Sequence, residues 1–443
     1  MHKVTKDAFT LILFSAVAAI ASYLFTFSMA RMMSIEDYSL LYSIIAFTYI
    51  LTIPQEAIRT VISRYTTKYN VQKDNGKIHE LLSSSLKKIF IVSIILLVLL
   101  LALSPLLTGL FHTNFWVLAT ALTILIFSFV LPVFWGVYQG LGKFKELGIN
   151  NSIEGVLRLI LAILLVLALP TNSQIYGALI SSPISMGIVF LIAYLSFGYI
   201  QKKKRKKIKE NLMKYSLATL LIFGLVTLMY SVDIILARYF FTPRVAGIYA
   251  GISLICKAFF FIAIGTKRAM MPNLTEQNIK SEEEECTKIL KKISLFLIIM
   301  FACAFLLFLF FPGPIVSVIL GDQYTAVAPY LKYMIIAMAF FSFSNLLVYY
   351  NLSLDKNKKI TARVLASAVF LEIGLLLLFH KTLQQFVWMI LIIDVILFLA
   401  MLLVTIIGPR YIQKRTEKEI KELKKLKPSK KYKSPAFVNK NQG

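Results

Sequence analysis

Five stretches of this chain contain no Asp, Glu, Lys or Arg: Phe90–Phe111, Phe115–Gly142, Leu159–Gln201, Ile293–Leu320 and Tyr333–Leu354. About 20 consecutive apolar residues cross the hydrocarbon core of a bilayer as a helix. Lipid offers the backbone no hydrogen-bond partner, so each stretch has to satisfy its own amides as a helix. Leu159–Gln201 is long enough for two crossings, separated at Pro170, Thr171, Asn172, Ser173 and Gln174. Composition agrees, with 58% hydrophobic and 16% charged residues, against roughly 45–50% and about 25% in globular proteins. A soluble fold of 443 residues has too little interior to hide 34 Phe.

The pattern predicts an all-α polytopic membrane protein. Its twelve spans are centred in 9–30, 39–60, 89–111, 115–137, 153–169, 175–199, 216–237, 246–266, 293–312, 329–352, 360–379 and 385–408. Almost nothing is left over for an extramembrane domain.

Charge sets the orientation. Segments 1–8, 62–88, 138–152, 201–214, 267–292, 353–363 and 409–443 alternate with the spans on one side and hold 40 of the 48 Lys and Arg. The opposite loops hold four: Arg31, Arg238, Arg244 and Lys381. Positive loops stay cytoplasmic, so both termini are expected inside, in the cell (cytoplasmic) membrane. The net charge of +26 is then mainly a topology device, and nucleic acid is not needed to explain it. The first apolar run is span-length and has no small-residue cleavage site, so it reads as a helix and not as a signal peptide.

Chemistry-bearing motifs are sparse. There is no Gly-rich phosphate loop ending in Gly-Lys-Ser/Thr. Cys256, Cys286 and Cys303 have no metal spacing, and His2, His79, His112 and His380 are dispersed. We expect no metal, no cofactor and no catalytic group, hence not an enzyme.

The chain repeats itself. Met29-Ala30-Arg31-Met32 closes span 1 and Leu236-Ala237-Arg238-Tyr239 closes span 7, offset by 207. Arg59 matches Lys267, Val137-Tyr138 with Leu141 matches Val348-Tyr349 with Leu352, and Lys145 matches Lys356. Six spans per repeat makes the repeats parallel, as two six-helix lobes around a central cavity that rock to expose it alternately. The organisation is a lobe at 1–200, a basic linker at 201–214, a second lobe at 215–408 and a basic tail at 409–443.

Several segments carry a family resemblance. They are Ala30-Arg31 with Ser34, Glu36, Asp37 and Tyr38 after span 1, and Tyr138-Gln139-Gly140-Leu141-Gly142-Lys143-Phe144-Lys145 after span 4. To these add Val232-Asp233 with Arg238, Gly247-Ile248-Tyr249-Ala250, Gly321-Asp322-Gln323-Tyr324, and Ala328-Pro329-Tyr330-Leu331. In these the chain resembles the polysaccharide-unit flippases of the multidrug/oligosaccharidyl-lipid/polysaccharide (MOP) exporter superfamily, over about residues 5–408. The resemblance implies flipping of polyprenyl-pyrophosphate-linked oligosaccharide repeat units by alternating access, for polysaccharide export. A sugar–diphosphate head cannot cross hydrocarbon unaided. Cationic side chains in the cavity should hold its diphosphate.

Charges inside spans are functional candidates by default. Lys257, near the middle of span 8, and Arg59, one turn from Glu56, are the first candidates for the pyrophosphate, followed by Arg31 and Arg238 at the outer ends of spans 1 and 7. The alternatives are an acid pair for Lys257, an intrahelical pair for Arg59, and snorkelling for Arg31 and Arg238. Asp233, Glu56, Glu372 and Asp394 are the candidates for coupling or gating, and Glu372 and Asp394 also fit protonated acids in helix interfaces. Glu154 and Arg158 read as a structural pair where span 5 begins, and Lys267 and Arg268 as topological anchors. Pro54, Pro132 and Pro183 are potential kinks. Residues Ser281–Lys292 suggest a surface helix capped by Ser281 with Glu284.

The basic run Lys202–Lys207 and the tail should touch anionic membrane lipid. Polysaccharide synthesis proteins are possible partners there. Three competing functions stay open. A multidrug cation antiporter of the same superfamily needs an acidic cavity. A lipid II flippase usually has two more helices. A membrane polysaccharide polymerase or ligase needs a large outer loop, and no outer segment exceeds about twenty residues.

Overall fold

The computed structural model describes residues 2–201, 204–206, 217–279, 283–354 and 358–425. Among them eleven helices are long and apolar enough to cross a membrane, and a pair bent by 41°, Ile35–Leu51 with Ile53–Val71, supplies a twelfth crossing. In chain order the spans are His2–Met32, that bent pair, Asn75–Ala102, Phe115–Gly140, Phe144–Ala168 and Gln174–Ser196. The second set is Leu217–Phe240, Pro243–Ile279, Glu283–Phe310, Leu331–Ser353, Lys358–Leu378 and Leu383–Lys425.

Side-chain caps start several of them. Ser34 Oγ accepts from the Asp37 amide at 3.1 Å to open span 2, and Asn114 Oδ1 accepts from the Val117 amide at 2.9 Å to open span 4. Such caps satisfy amides that have no partner within the helix. The bend in span 2 falls at Pro54, in the first turn of its second helix. Pro132 similarly begins a new helical segment, Leu131–Gly140, whereas Pro183 lies in an unbroken helix.

Helices overrun the apolar runs. Span 3 starts at Asn75 where hydropathy places 89, span 5 at Phe144 where it places 153, and span 12 continues to Lys425 where it places 408. A helix satisfies its own backbone in water as well as in lipid, so hydropathy marks only the part inside the hydrocarbon. This moves Glu154 and Arg158 from the start of span 5 to its middle.

The repeat is visible in the packing. In the first lobe span 1 packs on span 5, span 2 on span 4, span 5 on span 6, and span 4 on span 6. In the second lobe span 7 packs on span 11, span 8 on span 10, span 11 on span 12, and span 10 on span 12. The same six-helix arrangement is thus built twice. Spans 2 and 4 meet backbone to backbone at Gly136 and Gly140, where an added Cβ would fall 2.7 Å from Arg59 O and 2.6 Å from Ser63 O. Small residues four apart permit this approach in membranes.

The linker touches the first lobe at one described point. Lys206 Nζ lies 3.2 Å from Asp74 Oδ1, and the Lys206 amide donates to Gly76 O at 3.2 Å. Partial burial pushes the Asp74 carboxyl up. Hydrogen bonds from Lys206 and the Lys77 amide, helped by both ammonium charges, outweigh it and hold the group below the ordinary carboxylate value. Lys202, Lys203, Lys207, Ser281, Lys356 and the tail beyond 425 lie outside the described residues, as do the side chains of Lys267 and Arg268.

Candidate functional site

The lobes meet at the end that carries Arg31 and Arg238. There the first helix of span 2, Ile35–Leu51, packs on spans 7 and 8. At Gly247 an added Cβ would lie 2.3 Å from Ile35 Cγ2 and 2.4 Å from Ile35 O, so the two spans touch without room for a side chain. Arg238 is 3% exposed and donates to Phe111 O at 2.9 Å, His112 O at 3.4 Å and Ser39 Oγ at 3.2 Å, all in the other lobe. Arg31 donates in the opposite direction, to Val318 O at 2.9 Å. Gln323 adds hydrogen bonds to Ala30 O and Met33 O at 3.1 and 3.4 Å.

Beyond this seam the lobes part around a cavity. Its seam-side portion, about 190 Å³, is walled by Ser22, Tyr23 and Thr26 of span 1, Tyr42 of span 2 and Lys257 of span 8. The adjoining portion, about 400 Å³, reaches toward the termini past Thr52, Gln55, Glu56 and Thr227. Tyr49, Tyr230 and Phe261 wall both. Helical spacing explains the alignment: Leu254, Lys257 and Phe261 share one face of span 8, and Tyr42, Ile45 and Tyr49 share one face of span 2.

Lys257 is the cation at the centre. Its side chain is 2% exposed, and Nζ lies 2.9 and 2.8 Å from the two carboxyl oxygens of Asp233 and 2.6 Å from Tyr230 O. The ammonium also sits 4.6 Å over the Tyr230 ring. Tyr230 and Asp233 are three apart on span 7 and face the same way. Tyr249 donates its hydroxyl to the same Asp233 carboxyl. An intramembrane charge is costly, roughly 2.5–3.5 kcal/mol at the centre of a single helix. Here the opposite charge, the carbonyl and the ring together offset it.

The other candidates are not drawn to the same point. Arg59 Nε donates to Gln139 Oε1 of span 4 at 3.1 Å, while Nη1 lies 3.6 Å from Glu56. Glu56, with a side chain 65% exposed, borders the larger cavity portion. Arg31 and Arg238 lie outside the lining of the inter-lobe cavity. Their guanidiniums are held by the last carbonyls of helices Ser104–Phe111 and Pro312–Ile319, where the backbone is partially negative.

Glu372 and Asp394 are buried behind Lys257 on spans 11 and 12. Glu372 Oε2 and Asp394 Oδ2 have no hydrogen-bond partner among the described residues. No group of three or more described His, Cys, Asp or Glu is arranged to hold a metal.

Two features go beyond the sequence, in which Arg158 is legible only as the partner of Glu154. Arg158, in the middle of span 5, donates to Ser22 Oγ of the cavity wall at 2.7 Å, with Glu154 3.9 Å away. The second is the set of cavity tyrosines, Tyr23, Tyr42, Tyr49 and Tyr230, to which the sequence alone gives no role. Their signal is position, because Tyr23, Tyr42, Tyr49 and Tyr230 all fall well inside spans.

The family model described as "Polysaccharide biosynthesis protein" matches residues 4–276. No curated protein is a significant match. Among solved structures, the chain is similar to a multidrug resistance MATE family transporter of the MOP superfamily in its inward-facing conformation. That match has 12% identity and a TM-score of 0.70, and covers 90% of this chain and 95% of the other. It is also similar to the lipid II flippase MurJ in an inward closed conformation, at 14% identity and a TM-score of 0.69, covering 88% and 87%. A third is a MOP superfamily transporter from Pyrococcus furiosus, described by a binding pocket of reverse polarity. It has 13% identity and a TM-score of 0.61, covering 93% and 95%. These likenesses establish a MOP-type transporter fold.

Proposed function

The chain belongs to the polysaccharide biosynthesis protein family, and from that premise we propose that it flips a polyprenyl-diphosphate-linked oligosaccharide across the cytoplasmic membrane. The observation that carries this reading is Lys257: one ammonium on the wall of the inter-lobe cavity, held by a single carboxylate. A diphosphate brings more negative charge than Asp233 and displaces it as the partner of the ammonium. The head group then rests in the cavity while its prenyl tail remains in lipid.

The positive loops support a reading in which the cavity's far mouth, the linker and both termini face the cytoplasm. The seam closed by Arg31, Arg238 and Gln323 then faces outward, so this conformation accepts substrate from inside. The higher TM-scores to inward conformations than to the outward-facing MATE structure, 0.70 and 0.69 against 0.59, support that assignment. Once Lys257 exchanges partners, Asp233 is released within the second lobe, and Asp233, Glu372 and Asp394 become the groups through which binding is felt by spans 7, 11 and 12.

One observation favours a second reading. Glu56 stands exposed among aromatic side chains, a combination that suits organic cations, and the fold is shared with multidrug transporters. Reconstituted liposomes decide between them. We expect a labelled polyprenyl-diphosphate oligosaccharide to become exposed on the far leaflet. Efflux of a cationic dye driven by a proton or sodium gradient, with no glycolipid exposure, would replace the flippase with the antiporter.

A further inference from the structure

The larger portion of the cavity has a different chemistry from the portion beside Lys257. Tyr230 stacks on Phe260 with centroids 5.4 Å apart at 22°, and meets Phe261 edge-on at 5.4 Å and 83°. Tyr49, from the other lobe, tilts toward Tyr230 at 6.4 Å and 55°. Tyr49 and Phe261 are 43% and 38% exposed while walling this cavity, so ring surface is left uncovered by protein. Beside the rings lie the carboxamide of Gln55, the carboxylate of Glu56 and the hydroxyls of Thr52 and Thr227. Aromatic faces flanked by hydrogen-bonding groups suit a ligand with an apolar C–H face and a polar rim. A pyranose ring has that shape: axial hydrogens on one face and hydroxyls around the edge.

Position adds a second argument. The two portions share Tyr49, Tyr230 and Phe261, so a ligand can run from the ammonium to the ring cluster without leaving the wall. The order of groups, cation and then aromatic rings, follows the covalent order of a lipid-linked glycan, diphosphate and then first sugar. The volume of about 400 Å³ is within the roughly 300–1,000 Å³ usual for small-molecule sites.

We propose that Tyr49, Tyr230, Phe261 and Gln55 form a sugar subsite that receives the diphosphate-proximal sugar when the diphosphate is on Lys257. This rests on the flippase reading and adds to it which part of the substrate is recognised by shape and which by charge. Tyr49 comes from the first lobe and the other two rings from the second, so the sugar also bridges the lobes.

The test measures binding to the full-length protein in nanodiscs with three probes: a polyprenyl diphosphate without sugar, the same lipid bearing one hexose, and ethidium. We expect the hexose-bearing lipid to bind about tenfold more tightly than the sugar-free one. Gln55→Ala should erase most of that advantage and leave the sugar-free affinity unchanged, Tyr49→Leu should erase most of it, and Tyr49→Phe should keep it. Equal affinities of wild type for the two lipids would overturn the subsite and leave the flippase reading standing. So would equal losses for both lipids in Tyr49→Leu. Binding of ethidium with neither lipid bound would overturn both.

Discussion

Arg31 and Arg238 reach across the lobe seam in opposite directions, and the relationship repeats at one sequence interval. Arg31 donates to Val318 O and Arg238 to Phe111 O. The donors are 207 residues apart and so are the acceptors. Each lobe therefore inserts the arginine ending its first span against a helix C-terminus in its partner. The pseudo-twofold axis has become a pair of crossed latches.

The latches set the balance between conformations. Arg238 is the buried one, and hydrogen bonds to a charged group contribute roughly 1.5–3 kcal/mol each. Arg238→Ala should shift the population toward an outward-open state by an energy of that order. Spin labels at Asn172 and Gln384, on the two lobes at this end, should report a longer distance by pulsed electron resonance. Arg31→Ala, at an exposed site, should have a smaller effect. An unchanged distance distribution in Arg238→Ala would show that the seam closes without the latch.

Gly247 tests the same seam by size. A Cβ there meets the Ile35 backbone, which cannot rotate out of the way as a side chain can. Gly247→Val should open the seam or lower the unfolding midpoint by several degrees, about 1–3 kcal/mol of overpacking. Ile35→Ala in the same chain should not rescue it fully, because the backbone carbonyl remains. The check is the unfolding midpoint together with the same pair of spin labels.

The linker clasp predicts a pH dependence whose sign follows from Asp74. Its carboxyl is held below the ordinary value when folded, so the stabilising contact is fully present above the ordinary carboxylate range. It is lost as pH falls through the lowered folded value. A spin label at the exposed Arg205 should be restrained at neutral pH and become freer in that acidic window. In Asp74→Asn it should already be free at neutral pH.

Much of this architecture is legible in the chain. Charge-free runs mark the crossings because lipid forces helix on them, and the lysine bias marks their direction. Lys257 stands out because a mid-span ammonium needs a reason, and Asp233 lies on the neighbouring span. Arg238 is not readable in the same way. Its acceptors lie 126 to 202 residues away, and only the docking of one lobe on the other brings them near. Arg158 is legible as the partner of Glu154 but not as a contact of the cavity wall, for a local reason: polar residues in 144–152 hide the first turns of its helix from hydropathy, so the middle of span 5 reads as its beginning. The tyrosines carry no such pairing signal, and only the docking of the lobes brings Tyr23, Tyr42, Tyr49 and Tyr230 together on the cavity wall.

Lys257 and Asp233 make a buried pair whose partners are unequal in consequence. Breaking such a pair by removing one side costs roughly 3–5 kcal/mol, because the other charge stays buried alone. Lys257→Ala should therefore lower the unfolding midpoint, and Lys257→Ala with Asp233→Ala should recover most of it. Stability alone shows that they are paired and says nothing of the diphosphate.

Transport by that double variant is the most direct test. Translocation of a labelled polyprenyl-diphosphate oligosaccharide is followed in liposomes for wild type, Lys257→Ala, Lys257→Arg and Lys257→Ala with Asp233→Ala, each confirmed as folded and inserted. If Lys257 holds the diphosphate, the double variant regains stability and still fails to transport, while Lys257→Arg keeps part of the rate. Wild-type transport by the double variant would contradict the account and reduce Lys257 to a structural partner of Asp233.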